Sequence, residues 1–266
     1  MAAVLTGSES GGVSPGHPTA MLGGAGWTQL KPGARGTAKL GQWLRRLAAR
    51  SSTACRVRRG RLFVERLRPT DDDQILDLGG GSGGHIAELV PYRRNVTIGE
   101  LDAEALQRAA ETFGFGGLQL DGGETFPVAD GQYDLVFCSS VIEHVTGPKE
   151  IAYHTEDGKQ FAASARAAQA NFAAEIRRIS RRYFVQTPYK YFPIEQHSFL
   201  PFFVVLLPRR WQVRLMRFLF AHGWLKPVYP DFRLLTVKDM RALFPDAEIV
   251  LERYCGFVKS IVAIKA

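Results

Sequence analysis

Cysteine is scarce in this chain, and its few cysteines are scattered. They are Cys55, Cys138 and Cys255, an odd number without the spacing of a metal-binding motif. A disulfide framework and a zinc site are both disfavoured, and the pattern is typical of a protein from a reducing compartment. The cytoplasm is therefore the predicted location.

Long apolar runs are also missing. No stretch reaches the roughly 18 apolar residues that a membrane-spanning helix needs. The N-terminus has no charged segment followed by an apolar one, which disfavours a signal peptide. Residues 1–36 are instead rich in Gly, Ser, Pro and Ala, and this composition predicts a flexible tail. Met21 is an alternative start site.

Acidic residues are outnumbered by basic ones. The chain has 34 Lys and Arg against 26 Asp and Glu, for a formal net charge of +8. Such a balance suits nucleic acid, phosphorylated substrates or acidic lipid surfaces, and equally a solvated basic surface. Residues 37–70 form an arginine-rich helical pattern, but no nucleic-acid-binding motif or interleaved aromatic residue accompanies it. A nucleic-acid partner is therefore disfavoured.

Helical and strand patterns alternate along most of the chain, which predicts an α/β fold. The predicted strands cover residues 74–80, 95–102, 117–123, 132–140 and 182–188, followed by a final strand pair, and the predicted helices cover 85–90, 103–113, 161–182 and 236–246. Residues 189–235 interrupt this rhythm with aromatic residues and prolines. Residues 37–266 are therefore predicted to form a single domain, with basic helices at 37–70 and a substrate or lid insertion at 189–235.

Glycine is concentrated directly after the first predicted strand, in ILDLGGGSGGHIAELV (75–90). Glycine at this density lowers the stability of the fold. Its presence therefore indicates that the turn needs bare backbone. Gly79, Gly81 and Gly84 satisfy the G-x-G-x-x-G pattern of dinucleotide sites, although this pattern alone is a weak signal. Asp77 lies at the end of the strand, where its carboxylate would repel a pyrophosphate. The turn therefore favours a ligand that carries positive charge and no phosphates.

Acidic residues also end the next two predicted strands. Glu100 ends the second strand about 20 residues after the glycines, where a carboxylate reaches ribose hydroxyls. Asp121 ends the third strand, where its side chain can accept a hydrogen bond from an adenine amino group. Together with Asp77, these residues indicate a nucleoside ligand with a cationic group.

The motifs Asp77–Gly83 (DLGGGSG), IGELD with Glu100, and LQLDGGETFPVADGQYDLVFCSSVIEHV resemble those of class I S-adenosylmethionine-dependent methyltransferases. The resemblance implies a three-layer Rossmann-like fold with a seven-stranded, mostly parallel sheet whose last strand is antiparallel. It also implies S-adenosylmethionine as the cofactor. The cofactor-binding residues that it implies are Asp77, Gly79, Gly81, Gly83, Glu100, Leu101, Asp121, Gly122 and Ser139.

The resemblance further implies methyl transfer by direct displacement to a small-molecule acceptor, with oxygen the favoured atom. Candidate bases are Glu143 and His144, which follow the fourth strand, and His197. The aromatic segment around His197 can alternatively be a lid that closes the site, and the two roles are compatible. Some related enzymes hold a metal with a Glu-x-x-Glu-His run, but Ser140 replaces its first Glu here. No metal is therefore predicted, although a role of Glu143, His144 and His197 as metal ligands or as packing residues stays open.

Other functions stay open at this stage. The alternatives are an RNA methyltransferase and a non-catalytic protein that binds S-adenosylmethionine. A nicotinamide dehydrogenase is a poorer alternative, because Asp77 and Asp121 would then have no role. Residues 199–225 combine apolar side chains with arginines, which fits peripheral membrane contact, a cap over an acceptor pocket, or ordinary packing. The sequence predicts neither the identity of the acceptor nor the oligomeric state.

Overall fold

The computed structural model describes residues 53–92, 94–123, 125–148, 152, 155–193, 203–221 and 231–266. The predicted tail at 1–36, the first part of the basic segment and His197 lie outside these ranges. The predicted domain boundaries stay predictions for that reason.

A seven-stranded sheet forms the centre of the fold. Its strands are β1 (Ile75–Leu78), β2 (Val96–Glu100), β3 (Gly116–Gln119), β4 (Tyr133–Ser139), β5 (Ser180–Pro188), β6 (Glu248–Tyr254) and β7 (Phe257–Lys265). They are arranged in the order β3-β2-β1-β4-β5-β7-β6. The first five strands pair in parallel, whereas β7 is antiparallel to both β5 and β6. This arrangement confirms the predicted mostly parallel sheet with an antiparallel last strand.

Seven helices accompany the sheet in the described residues. They are α1 (53–67), α2 (Gly84–Leu89), α3 (Ala103–Phe113), α4 (Gly158–Ile179), α5 (Phe203–Leu206), α6 (Arg209–Ala221) and α7 (Val237–Leu243), with a 3-10 turn at Ile142–His144. Helices α1, α2 and α3 pack on one face, around Phe63, Phe137 and Phe184. Helices α4 and α7 pack on the other face, so the predicted three layers are confirmed.

Local signals explain several element boundaries. Asp157 begins α4 because its carboxylate accepts hydrogen bonds from the backbone N–H groups of Lys159 and Gln160. Thr236 is the N-cap of α7 and forms a capping box with Asp239. Among the described helices, none is both long and apolar enough to cross a membrane.

The hairpin between β6 and β7 has a similarly local cause. Its turn consists of Cys255 and Gly256, which adopt positive φ angles of 49° and 81°. Two consecutive residues of this kind match the right-handed twist of paired strands. The turn therefore folds β7 back between β6 and β5 and gives the sheet its antiparallel edge.

Candidate functional site

The glycine turn joins β1 to α2 at the carboxyl edge of the sheet. Gly79, Gly81 and Gly83 adopt left-handed φ angles of 71°, 57° and 78°. A Cβ atom on Gly79 would lie 2.4 Å from Val141 Cγ2, and one on Gly83 would lie 2.7 Å from Phe115 Cδ2. A Cβ atom on Gly81 would meet nothing within 4 Å. Packing therefore requires glycine at two positions, while Gly81 presents bare backbone to open space.

Asp77 is buried under this turn. It lies on β1 with only 2% of its surface exposed, and its Oδ2 atom has no hydrogen-bond partner among the described residues. Burial and the negative charge of Glu100 raise the pKa of Asp77 to about 7. A Cβ atom on Gly80 would lie 2.3 Å from this carboxylate, so the turn closes tightly over it. The described residues give Asp77 no positive partner, so the site fits a cationic ligand group such as the one S-adenosylmethionine carries.

Glu100 ties the end of β2 to the glycine turn. One carboxylate oxygen accepts a hydrogen bond from the Gly81 N–H at 3.0 Å, and the other accepts one from the Leu101 N–H at 2.7 Å. Charge-assisted bonds of this kind hold the side chain in one orientation. The structure thus brings together Asp77 and the glycines, which lie on one segment of the sequence, with Glu100, which lies on another. The contact of Glu100 with ribose stays a prediction.

The loop after β3 differs from the sequence-based expectation. Asp121 does not end the third strand, because β3 stops at Gln119 and Asp121 lies two residues further on. The Gln119 side-chain amide donates to the Leu101 carbonyl at 2.8 Å at the end of the strand. Gly122, with φ of 78°, follows close to the Leu101 side chain. Asp121 is exposed at this edge, and its adenine contact stays a prediction.

Ser139 ends β4 and joins a polar network. Its hydroxyl donates to Gln186 Oε1 at 2.8 Å and accepts from Arg59 Nη1 at 3.0 Å. Arg59 also pairs with Glu252 at 3.2 Å. Sequence reasoning missed Arg59 in this role, although a signal exists: positions 55, 59, 63 and 67 share one face of α1, and the other three are buried apolar residues.

Glu143 and His144 lie beside the site but differ in their surroundings. Glu143 is fully buried, and its Oε2 accepts a hydrogen bond from Thr187 Oγ1 at 3.0 Å. His144 is partly exposed, and its Nδ1 lies 3.7 Å from Asp231 Oδ1. Glu143 therefore links the segment after β4 to the end of β5, whereas His144 faces a carboxylate that sequence reasoning did not single out. His197, the third predicted catalytic residue, lies outside the described residues.

In the described ranges, no three His, Cys, Asp or Glu side chains lie together in a way that could hold a metal ion.

Part of the chain is similar in sequence to a known domain family. Residues 76–156 match the sequence profile of the methyltransferase domain family. No curated protein matches the chain significantly in sequence.

Solved structures with a similar fold include several methyltransferases. One is the YcgJ protein from Bacillus subtilis, with 15% identity, 74% of this chain and 70% of that chain covered, and a TM-score of 0.44. Another is an S-adenosylmethionine-dependent methyltransferase from Aquifex aeolicus, with 14% identity, 72% of this chain and 80% of that chain covered, and a TM-score of 0.38. A third is the methyltransferase CalH, solved with S-adenosylhomocysteine, with 17% identity, 77% of this chain and 55% of that chain covered, and a TM-score of 0.46.

The glycine turn over the buried aspartate lies within the segment that matches the methyltransferase domain. Over residues 76–156 the chain is therefore similar to methyltransferases. Its matched segment begins on β1 and includes all nine predicted cofactor-binding residues.

Proposed function

We propose that this enzyme transfers the methyl group of S-adenosylmethionine to an oxygen atom of a small-molecule acceptor. Asp77 carries the proposal, because its buried carboxylate has an unpartnered oxygen beside a turn that exposes bare backbone. When bound, S-adenosylmethionine supplies a methyl group on a positively charged sulfur. Ionised Asp77 would balance positive charge there, and the Glu100 carboxylate retains lone pairs for hydroxyl donors.

His144 is the residue that favours an oxygen acceptor. A hydroxyl must lose its proton as its oxygen forms the new bond to the methyl carbon and the carbon–sulfur bond breaks. Neutral His144 can take that proton, and the nearby Asp231 carboxylate can orient the ring and stabilise the resulting imidazolium. Buried Glu143 is already hydrogen-bonded to Thr187, so we assign it a positioning role rather than that of the base.

The arginines of α1 support a small acceptor over RNA. Arg58 donates to the Arg253 carbonyl at 3.0 Å, Arg59 pairs with Glu252, and Arg66 pairs with Glu248. These guanidinium groups contact the sheet of the same chain, whereas an RNA-binding helix presents its cations to phosphates. The +8 net charge alone is therefore a weak argument for RNA.

A paired binding and activity experiment tests the proposal. We expect the wild-type protein to bind S-adenosylmethionine in calorimetry and to transfer a labelled methyl group to a small molecule in host extract. Gly81→Arg should abolish both, because its side chain would fill the open space at the turn.

Gly114→Arg is the matched control. Gly114 also has a left-handed φ, of 71°, and open space around its Cβ position, but it caps the end of α3. Both variants therefore carry the same backbone strain, and only Gly81→Arg should lose binding. Absence of cofactor binding by the wild type, or label that appears in RNA instead of small molecules, would contradict the proposal.

The base assignment predicts a separate result. His144→Ala should lower kcat by about 100-fold or more, while the Kd for S-adenosylmethionine stays unchanged. Added imidazole should restore part of the activity, because a free base can occupy the space of the lost ring. A kcat that falls by less than about threefold, or a matching loss of cofactor affinity, would remove His144 from this role.

A further inference from the structure

Helix α6 packs one face against other described parts of the domain. Arg209, Val213 and Met216 are buried, and their spacing of four and three residues places them on a single helical face. The Arg209 guanidinium donates to the Thr155 carbonyl at 2.9 Å and lies over the ring of Phe161, 3.3 Å from its centroid. These contacts fix the helix against α4 and leave its opposite face turned outward.

That opposite face exposes large apolar side chains. Trp211 and Phe218 are 51% and 54% exposed, and seven residues separate them, so they lie on one stripe two turns apart. Leu206 and Leu207 are also exposed just before the helix. Four of the ten exposed large apolar residues of the described chain thus fall between residues 206 and 218. A patch of this kind on a soluble surface indicates an interaction site.

Arginines border the apolar stripe. Arg210, Arg214 and Arg217 are exposed on the same helix, and the Arg214 guanidinium lies 5.8 Å from the Trp211 ring centroid. Glu156 is 3.6 Å from Arg214 and 3.7 Å from Arg217. One carboxylate pairs with two of the three arginines, which leaves the helix with net positive charge, and such exposed pairs are weak because water screens them.

We propose that this surface, composed of Leu206, Leu207, Trp211, Arg214 and Phe218, docks the enzyme onto an anionic phospholipid membrane. Tryptophan and phenylalanine enter the interface between headgroups and acyl chains, while arginines pair with lipid phosphates. The surface is the convex side of a helix, which suits a planar bilayer better than it suits a nucleic acid strand. The docking is independent of methyl transfer, because none of these residues belongs to the site around Asp77.

Vesicle co-sedimentation tests the docking. The full-length protein should bind vesicles of phosphatidylcholine mixed with phosphatidylglycerol at least about tenfold more tightly than pure phosphatidylcholine vesicles. Higher salt should weaken the binding, because it screens the arginines. Trp211→Ser/Phe218→Ser should lower the affinity for the anionic vesicles about tenfold or more.

Val57→Ser/Val64→Ser is the matched control. These two valines are exposed, lie seven residues apart on arginine-rich α1, and are expected to leave vesicle binding unchanged. Circular dichroism melts verify that both double variants fold. Equal loss in the control, no preference for anionic vesicles, or a wild-type dimer that Trp211→Ser/Phe218→Ser converts to monomer would overturn the proposal. The last outcome would instead make this surface a contact between two copies of the chain.

Discussion

Asp77→Asn should abolish S-adenosylmethionine binding and, at about pH 8, raise the melting temperature of the cofactor-free protein. Above its pKa of about 7, the wild type holds a buried carboxylate close to the negative charge of Glu100. Asparagine has nearly the same shape without the charge. The pKa difference from an unfolded chain, whose aspartates titrate near 3.8, corresponds to a few kcal/mol, about 1.4 per pKa unit.

The higher melting temperature expected for Asp77→Asn depends on pH in a direction that follows from the pKa of Asp77. Between about pH 4 and pH 7 the folded protein binds a proton at Asp77 that the unfolded chain has lost. The contribution of Asp77 to stability is therefore full below pH 4, falls as the pH rises, and levels off above 7. The Asn variant lacks this fall, so its advantage should appear only as the pH rises. Melting curves of both proteins between about pH 4.5 and 8.5 measure it.

Cofactor binding is expected to depend on the same proton. Near pH 6.5 part of the wild-type protein carries protonated Asp77, and a cationic ligand should displace that proton. Calorimetry in two buffers with different ionisation enthalpies measures the proton release.

Asp134→Asn is the control for Asp77→Asn. Asp134 opens β4 and accepts a hydrogen bond from the Gln74 N–H at 3.0 Å, away from the glycine turn. Its removal should not stabilise the protein and should leave the cofactor Kd unchanged. An Asp77→Asn variant that binds the cofactor normally, or that melts lower than the wild type at high pH, would show that Asp77 is a structural residue.

Local backbone geometry determines the part of the candidate site that the sequence indicates most directly. Gly79, Gly81 and Gly83 adopt positive φ angles, which glycine reaches without steric cost. The glycines in the sequence therefore indicate this turn. Asp77 and Glu100 come at the ends of strands, and the carboxyl ends of parallel strands meet at one edge. The spacing of these residues along the chain therefore indicated their proximity, and the α/β alternation indicated the layers.

The part that the sequence did not predict depends on contacts between distant segments. Asp231 faces His144 from 87 positions further along the chain, and Arg59 reaches Glu252 across 193 positions. No local pattern links such pairs. Asp121 shows a smaller error, because β3 ends at Gln119, two residues before it. In this chain, residues placed by local backbone geometry are thus easier to predict from the sequence than residues placed by contacts between distant segments.

Arg59→Met should lower the free energy of unfolding by about 3 to 5 kcal/mol. Arg59 and Glu252 form an ion pair in which the side chains are only 11% and 4% exposed, and Ser260 also donates to the Glu252 carboxylate. Removing the guanidinium leaves this carboxylate buried without its cation, while methionine preserves most of the packing volume. Chemical denaturation at neutral pH measures the loss.

Two further variants separate the buried charge from other causes. Arg66→Met removes the exposed pair with Glu248 on the same helix and strand, and it should change stability by about 1 kcal/mol or less. Arg59→Met/Glu252→Gln removes both charges of the buried pair and should recover at least half of the loss. Failure of this recovery would mean that Arg59 acts mainly through Ser139 and Gln186 at the ends of β4 and β5. In that case α1 would stabilise the edge beside the acceptor, and the Arg59→Met variant would lose cofactor affinity together with stability.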